Sequence, residues 1–268
     1  MPEGDTVFRL AHRLNAALAG QVLLVAELNV PAHASADLVG ARIDEVVPLG
    51  KHLLMRMHQV QERLTLHSHL RMDGRWSLVS GGPRPADADG HHVRALLGTR
   101  EWWAIGTLLG ELDLVRTDDE ARVVGHLGPD LLDADLDMAE VRRRVAQHSH
   151  RAVAEVLRDQ SVVAGLGNEL VSEVLFLRGL NPWTPVGTVD VDALCTLAVK
   201  LIRANSTRDV RSSTGDLRRG RTSYVFNRGG RACRRCGTTI RSREQGDPPR
   251  ARTSWWCPAC QPATAAGE

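Results

Sequence analysis

Four cysteines towards the end of the sequence have the spacing of a metal site. Cys233 and Cys236 form one Cys-x-x-Cys pair, and Cys257 and Cys260 form a second pair after twenty intervening residues. Two such pairs can supply four thiolates in a tetrahedron, and four cysteine ligands leave no coordination position open for a substrate. The spacing therefore predicts one structural Zn²⁺ that takes no part in catalysis. A redox pair in each motif is the alternative, which is disfavoured because no thioredoxin-like βαβ pattern surrounds either pair.

The first residues can supply a nucleophile and an acid. If Met1 is removed, Pro2 presents a secondary α-amine beside the carboxyl group of Glu3. An α-amine has a reference pKa of about 7.7–8.0, so roughly a tenth to a fifth of it is neutral at pH 7. Attack on a sugar C1′ would leave an iminium that promotes strand cleavage, and a buried Glu3 could protonate the sugar or the departing base. The alternative is a frayed terminus without chemistry.

Basic residues are concentrated at the end of the chain and are almost all arginines. Residues 200–268 carry 15 basic and 5 acidic residues, although the whole chain has a net charge of only +2. Lys51 and Lys200 are the only lysines among 34 basic residues, so an amine nucleophile can come only from them or from the N-terminus. Guanidinium groups suit bidentate phosphate contacts. A nucleotide-composition bias towards arginine codons explains the scarcity of lysine equally well.

Arginines and tryptophans fill the segment between the two cysteine pairs. The arginines are Arg241, Arg243, Arg250 and Arg252, and Trp255-Trp256 precede the second pair. Guanidinium groups on a rigid hairpin can contact a duplex backbone, whereas the plain alternative is a solvated basic surface over a small aromatic core. We interpret the tryptophans as core residues and Arg252 as a phosphate contact.

A glycine-containing motif, Gly165-Leu166-Gly167-Asn168, opens a helical pattern that continues from Glu169. Glycines permit a tight turn, Asn168 can cap the helix, and the free amides of a helix start attract phosphate. A packing corner between two helices explains the motif about equally well.

Hydrophobic periodicity divides the chain into three parts. A helix is expected from Asp5, with Asp5 or Thr6 as N-cap and Gly20 beyond its end. Short alternating runs from Gln21 to about Val115 predict an antiparallel β-sandwich. Helical patterns follow a linker at 125–137, and a polar loop at 206–222, expected to be mobile, precedes a strand-like Tyr224–Phe226. The predicted class is therefore multidomain α+β, with domains at 1–124, 125–222 and 223–268.

Composition excludes several classes of protein. The 268 residues are 43% hydrophobic and 25% charged, which fits a globular protein and not a collagen-like or disordered one. No apolar run of membrane-spanning length occurs, and the acidic start does not resemble a secretory signal. We expect a cytoplasmic protein without membrane association.

The fifth cysteine, Cys195, lies in a helical pattern apart from the four clustered ones. It is expected to be a small buried hydrophobic residue.

Five segments occur in the order found in one family of enzymes. They are Met1–Thr6, Gly50–Leu53, His69–Gly74, Gly165–Asn168 and the terminal cysteine hairpin. Over its whole length the sequence resembles the Fpg/Nei family of DNA glycosylases. The resemblance implies a β-sandwich bearing the catalytic terminus, a helix-two-turn-helix domain and a zinc finger. It also implies a monomeric bacterial enzyme that acts on damaged double-stranded DNA in base excision repair, releasing the base and then cleaving the strand by β,δ-elimination.

The resemblance also assigns roles to single residues. Pro2 would be the nucleophile and Glu3 the acid, while Lys51 would contact phosphate and assist proton transfer. Met72 would be the apolar wedge that fills the space of the flipped base, with an ordinary strand residue as the alternative. The residues that resemble phosphate clamps around the extruded nucleotide are His69, Asn168 and Arg252.

Three departures from the family pattern bear on the substrate. Thr6 occupies a position where many members carry glutamate, and the Arg-Phe pair of the Fpg branch is not visible around residues 102–114. The opening Gly4-Asp5-Thr6 is closer to the actinobacterial type of endonuclease VIII (Nei), which points to oxidised pyrimidines. An Fpg-like preference for oxidised purines is the alternative. A non-catalytic zinc-ribbon DNA-binding protein and a metal-dependent nuclease are the competing function classes.

Overall fold

The computed structural model describes residues 2–248 and 251–263. The chain divides into two compact units, Met1–His126 and Leu127–Glu268, and each unit has its own hydrophobic core. Within the described ranges, no helix is both long enough and apolar enough to cross a membrane. Arg250, one of the four arginines of the cysteine-rich segment, lies outside the described residues.

Helix α1 spans Gly4–Leu18 and buries its apolar side chains in the core of the first unit. The expected N-cap at Asp5 or Thr6 was wrong, because Glu3 is the residue that precedes the first helical turn. The backbone carbonyl of Glu3 accepts hydrogen bonds from the amides of Thr6 (3.0 Å) and Val7 (3.1 Å). Gly20 follows the helix with φ 79°, a value that favours glycine.

Two four-stranded antiparallel sheets form the predicted sandwich. The strands are β1 Val25–Leu28, β2 Arg42–Leu49, β3 His52–Gln59, β4 Glu62–His69, β5 Arg75–Ser80, β6 Val93–Gly98, β7 Trp102–Thr107 and β8 Glu111–Arg116. The strand orders are β2-β3-β4-β8 in one sheet and β1-β6-β7-β5 in the other. The core between the sheets takes side chains from both of them and from α1. A short helix, α2 (Ala121–Val124), follows β8.

The second unit begins with a group of helices. They are α3 Met138–Ala146, α4 Val153–Arg158, α5 Asn168–Arg178 and α6 Val191–Ser206. Aspartates cap two of them: Asp137 accepts hydrogen bonds from the first amides of α3, and Asp190 accepts one at the start of α6. Helix α5 is buried along most of its length and contributes several side chains to the core of this unit.

A two-stranded hairpin completes the second unit, with β9 at Arg241–Gln245 and β10 at Arg252–Trp256. The interpretation of the tryptophans as core residues is confirmed in part: Trp255 packs against the small core around Phe176, whereas Trp256 is half-buried and belongs to no core cluster of the described residues. Trp255 meets Phe226 edge-on at 4.8 Å between ring centroids, and Trp256 meets Trp183 at the same distance. Aromatic contacts therefore connect the hairpin to the rest of the second unit.

The polar loop at 206–222 is tied down at its base. The side-chain oxygen of Asn205 accepts a hydrogen bond from the buried amide of Ser212 (2.8 Å), and the amide of Ser213 donates to the carbonyl of Thr222 (2.8 Å). These contacts connect the two ends of the loop. Its mobility stays a prediction.

The expected strand at Tyr224–Phe226 was wrong, because the structure has bends and a turn there. Glu173 on α5 explains the difference. Its carboxylate, which has no exposed surface, accepts hydrogen bonds from the amides of Tyr224 (2.7 Å), Val225 (2.8 Å) and Phe226 (2.9 Å). Amides that point to one side chain cannot join a strand ladder. Burial raises the pKa of Glu173, and the three amide donors oppose that rise.

Replacing Glu173 with Ala is expected to lower the free energy of unfolding by about 3–5 kcal/mol, because three buried amides lose their acceptor. Urea denaturation followed by tryptophan fluorescence measures this change. The control is Glu140→Ala, which removes a partly exposed carboxylate held by Arg143 and Arg144 at the surface and should change stability little. Equal losses for the two variants would contradict the anchoring role of Glu173.

Candidate functional site

Pro2 and Glu3 lie at the start of α1. Pro2 is half-buried, and Glu3 has no exposed surface. Because Glu3 is the N-cap, its main chain is fixed by the first turn of a 15-residue helix. The positive end of the helix dipole faces this position and favours negative or neutral groups there. The structure therefore holds a buried carboxyl group directly beside the predicted nucleophile.

Lys51 lies on the tight turn between β2 and β3. Leu49 and His52 are the last paired residues, so the turn consists of Gly50 and Lys51. Gly50 has φ 58°, the left-handed value that a two-residue hairpin needs at its first position. The turn presents Lys51 at the end of the sheet.

His69 ends β4, and its Cα is paired with that of His52. Its Nδ1 accepts a hydrogen bond from the amide of Arg71 (3.0 Å), so the ring proton must reside on Nε2. Burial lowers the pKa of His69 to about 4, with Glu111 opposing the shift and Arg71 and Lys51 adding to it. His69 is therefore neutral at pH 7 and offers an N–H donor near the charge of Lys51.

Met72 lies on the turn between β4 and β5, so the alternative of an ordinary strand residue is excluded. Its side chain is 62% exposed, which is unusual for methionine. The turn lies against the β7–β8 turn: a Cβ on Gly74 would be 2.9 Å from the carbonyl oxygen of Leu108. Leu108 is 37% exposed and has φ 51°. Sequence reasoning missed Leu108, although it noted that the turn lacks an Arg-Phe pair.

Asn168 is the first residue of α5, and Gly167 is its N-cap, so the expected capping role of Asn168 was wrong. The side chain connects the helix to the hairpin instead. Its Nδ2 donates to the carbonyl of Thr253 (2.9 Å), and its Oδ1 accepts from Arg158 (2.9 Å). The structure thus brings Asn168 next to β10, the strand that carries Arg252.

Arg158, which sequence reasoning missed, is the centre of this junction. Its guanidinium also donates to Ser254 Oγ (3.2 Å) and Gln245 Oε1 (3.0 Å). Burial lowers its pKa to about 10, and the neighbouring charge of Arg252 adds to the shift while Glu155 opposes it. Arg158 remains a cation at pH 7. Arg158 is the last residue of the short helix α4, and nothing in its sequence context predicts that it connects Asn168 to the hairpin.

The hairpin exposes several guanidinium groups. Arg252 begins β10 on the exposed surface, and its Nη1 donates to the carbonyl of Ala251 (2.7 Å). Arg243 on β9 stacks over the ring of Trp183 at 4.1 Å. This stacking orients the guanidinium and leaves its edge available for hydrogen bonds.

The four cysteines meet at one point. The Sγ atoms of Cys233, Cys236, Cys257 and Cys260 all lie within 4.8 Å of one another. The Cys236–Cys257 and Cys236–Cys260 sulfur distances are 3.4 and 3.5 Å. Zinc–sulfur bonds of about 2.3 Å in a tetrahedron place sulfurs about 3.8 Å apart, so the cluster fits a metal ion if the sulfurs move slightly apart.

Cys195, the fifth cysteine, is buried on α6. Burial raises its pKa to about 11, as expected of an unreactive core residue.

A group of histidines lies beneath the Lys51 turn. His52 Nδ1 is 2.8 Å from His67 Nε2, and His67 Nδ1 is 3.3 Å from Asp113 Oδ2. Burial lowers the pKa of His52 to about 3, and neighbouring histidines and Arg71 add to the shift. Sequence reasoning did not single out His52 or His67. The alternation of His67 and His69 on one strand was the signal that could have found them.

Comparisons with known proteins agree with this architecture. The sequence matches the formamidopyrimidine-DNA glycosylase N-terminal domain over residues 1–105 and the formamidopyrimidine-DNA glycosylase H2TH domain over residues 127–213. The structure resembles that of Lactococcus lactis Fpg bound to DNA containing an abasic site, with a TM-score of 0.79, 23% identity, and coverage of 98% of this chain and 100% of the other. That likeness establishes the fold.

Relatives of known name are similar over nearly the full length. A probable endonuclease 8 2 of Streptomyces coelicolor is 47% identical, covering 97% of this chain and 94% of the relative. A DNA-(apurinic or apyrimidinic site) lyase Nei2 of Mycolicibacterium smegmatis is 39% identical, covering 98% and 100%. Endonuclease 8 of Escherichia coli is 30% identical, covering 97% and 100%. With both domain matches and these relatives, the chain belongs to the Fpg/Nei family, in the branch of the actinobacterial endonuclease VIII proteins.

Proposed function

We propose that this protein is a bifunctional DNA glycosylase and lyase of base excision repair that removes oxidised bases, with pyrimidines favoured. It acts as a cytoplasmic bacterial monomer on damaged double-stranded DNA. Its functional domains are 1–124, 125–222 and 223–268, and the last is held by one structural Zn²⁺ at the four cysteines. The proposal rests mainly on the burial of Glu3: its carboxyl group has no exposed surface and lies beside Pro2 at the start of α1.

The reaction begins with the free amine of Pro2 attacking C1′ of the damaged nucleotide. The glycosidic bond breaks, the base leaves with the bonding electrons, and Glu3 supplies a proton for its departure. The positive end of α1 disfavours a protonated Pro2 nitrogen and so supports the nucleophilic form. The Pro2 nitrogen loses its proton, and the C1′–O4′ bond of the sugar ring breaks with a proton going to O4′, which leaves an iminium between C1′ and Pro2. The iminium then acidifies the C2′ proton. Loss of that proton expels the 3′ phosphate, and a second elimination expels the 5′ phosphate.

The other predicted residues bind and position DNA. Lys51 contacts phosphate and assists proton transfer, while neutral His69 donates a hydrogen bond. Asn168 and Arg252 lie at one junction, where the charges of Arg158 and Arg252 attract a phosphate. Met72 enters the space of the flipped base as an apolar wedge.

Borohydride trapping tests the proposed chemistry. Reduction during reaction with abasic DNA should give a covalent adduct whose mass maps to Pro2. DNA binding without an adduct would favour a non-catalytic binding protein. Strand cleavage that depends on added magnesium would favour a metal-dependent nuclease and contradict the iminium route.

The preference for pyrimidines is supported by the β7–β8 turn, which carries Leu108-Leu109 and no Arg-Phe pair. Single-turnover excision rates from matched duplexes, each with one oxidised pyrimidine or one oxidised purine, test this preference. Faster excision of the purine would contradict it.

Replacing Arg252 with Ala is expected to weaken DNA binding irrespective of sequence and to reduce the slope of log affinity against log salt by about one unit. Binding titrations at several salt concentrations measure the slope. The control is Arg142→Ala, because that exposed guanidinium is already neutralised by an ion pair with Asp192 (2.8 Å). An unchanged slope for the Arg252 variant would remove this residue from the phosphate contacts.

A further inference from the structure

One face of the sheet β2-β3-β4-β8 carries a concentration of metal-binding side chains near its end. His52, His69 and Glu111 are cross-strand partners in one row of β3, β4 and β8. His67 and Asp113 are paired in the row two residues further along, on the same face because side chains alternate along a strand. Three neighbouring strands thus bring imidazoles and carboxylates together.

We propose that His52, His67 and Glu111 bind a divalent transition-metal ion, separate from the four-cysteine cluster. One donor atom from each residue lies within 4.8 Å of the other two. Two imidazoles and one carboxylate are a donor set that binds Zn²⁺ or Fe²⁺ with coordination positions left open. Both imidazoles are buried, which holds their rings in fixed positions.

The distances allow the ion with a small adjustment. Metal–nitrogen bonds of about 2.1 Å in a tetrahedron separate two nitrogens by about 3.4 Å. His52 Nδ1 and His67 Nε2 are 2.8 Å apart, so the rings must separate by about 0.6 Å. Glu111 pairs with Arg71, which is 64% exposed, and its second carboxylate oxygen can still bind a cation.

Asp113 supplies the outer support that a metal-binding histidine requires. Its carboxylate is 3.3 Å from His67 Nδ1 and 3.8 Å from His33 Nε2. A proton on His67 Nδ1 directed at Asp113 leaves the lone pair of Nε2 facing His52. This carboxylate–histidine arrangement fixes the tautomer and raises the basicity of metal-binding imidazoles.

A cavity of about 440 Å³ gives access to the site. His67, Glu111, Asp113 and His126 are among the residues that line it, all within the first unit. The cavity leaves room for water on the open positions of the ion. His52 directly follows Lys51, so a bound ion would brace the turn that carries this lysine.

Metal analysis of the full-length protein tests the site. After equilibration with excess Zn²⁺ and removal of free metal, we expect two ions per chain in the wild type and one in His67→Gln. With Co²⁺, the thiolate site gives strong near-ultraviolet charge-transfer absorption, and the second equivalent should add only weaker visible bands. Asp113→Asn should weaken the second equivalent roughly 10- to 100-fold.

The matched control is His58→Gln. His58 forms a histidine–aspartate pair with Asp44 (2.6 Å) on the same sheet but belongs to no group of three metal-binding side chains among the described residues. The His58→Gln variant should therefore bind two ions per chain, as the wild type does. If the His67→Gln variant does not fold, Glu111→Gln provides a second test, because it changes a proposed ligand that is partly exposed. Saturation of the folded wild type at one ion, with the thiolate absorption complete, would overturn the inference whatever the variants do.

Discussion

Replacing Glu3 with Gln is expected to reduce excision of a damaged base by about 10²–10⁴-fold, the usual contribution of a general acid. The amide has nearly the same shape and can still form hydrogen bonds, but it cannot deliver a proton to the sugar ring oxygen or to the departing base. Cleavage of a preformed abasic site should persist, because its sugar already presents an aldehyde to the Pro2 amine. The measurement is a pair of single-turnover rates, one on lesion DNA and one on abasic DNA.

Asp5→Asn is the matched control for this substitution. Asp5 is another buried carboxylate of the same helix start, and its Oδ1 accepts a hydrogen bond from the amide of Thr6 (2.7 Å). Asparagine retains that acceptor, so base excision should stay within about tenfold of the wild type. Equal loss of excision and abasic cleavage in Glu3→Gln would argue against a dedicated acid for base release. Borohydride trapping on abasic DNA should succeed with both variants.

Local patterns were sufficient to predict the elements that position the site. Alternating apolar residues specified the sandwich, because one face of each strand must be buried. Helical spacing specified α1, but the exact first residue depended on which carbonyl accepted the first amides, and this was Glu3. The strand expected at Tyr224–Phe226 failed because Glu173, about fifty residues earlier, takes the amides that a strand partner would need.

Contacts between distant segments account for the site residues that the sequence did not reveal. Arg158 reaches Ser254 and Gln245 across the hairpin, and no spacing rule connects these positions. His52 and His67 become neighbours only through the β3–β4 register. The four cysteines were predictable because their chemistry fixes the partners: two pairs of thiolates at this separation have few other uses.

Replacing Cys233 with Ser is expected to release the metal of the four-cysteine cluster and to unfold the hairpin. Structural zinc contributes about 10–16 kcal/mol of apparent binding free energy in small zinc domains, more than a two-stranded hairpin can gain from its own core. Cys233 and Cys257 also belong to the small cluster that contains Phe176, Val225 and Ile240, so loss of the metal removes packing as well. DNA affinity should also fall when the hairpin unfolds, because the hairpin carries Arg252.

The first unit should remain folded in Cys233→Ser, because its core is separate from that of the hairpin. Co²⁺ absorption isolates the effect, since thiolate charge transfer reports the cysteine cluster alone and is blind to an ion bound by histidines. Circular dichroism should retain the β signal, while the fluorescence of Trp255 and Trp256 should shift towards that of exposed indole. Cys195→Ala, which alters a buried cysteine outside the cluster, should leave the charge-transfer band unchanged. Full thiolate absorption in Cys233→Ser would contradict the four-cysteine site, because three thiolates cannot complete it.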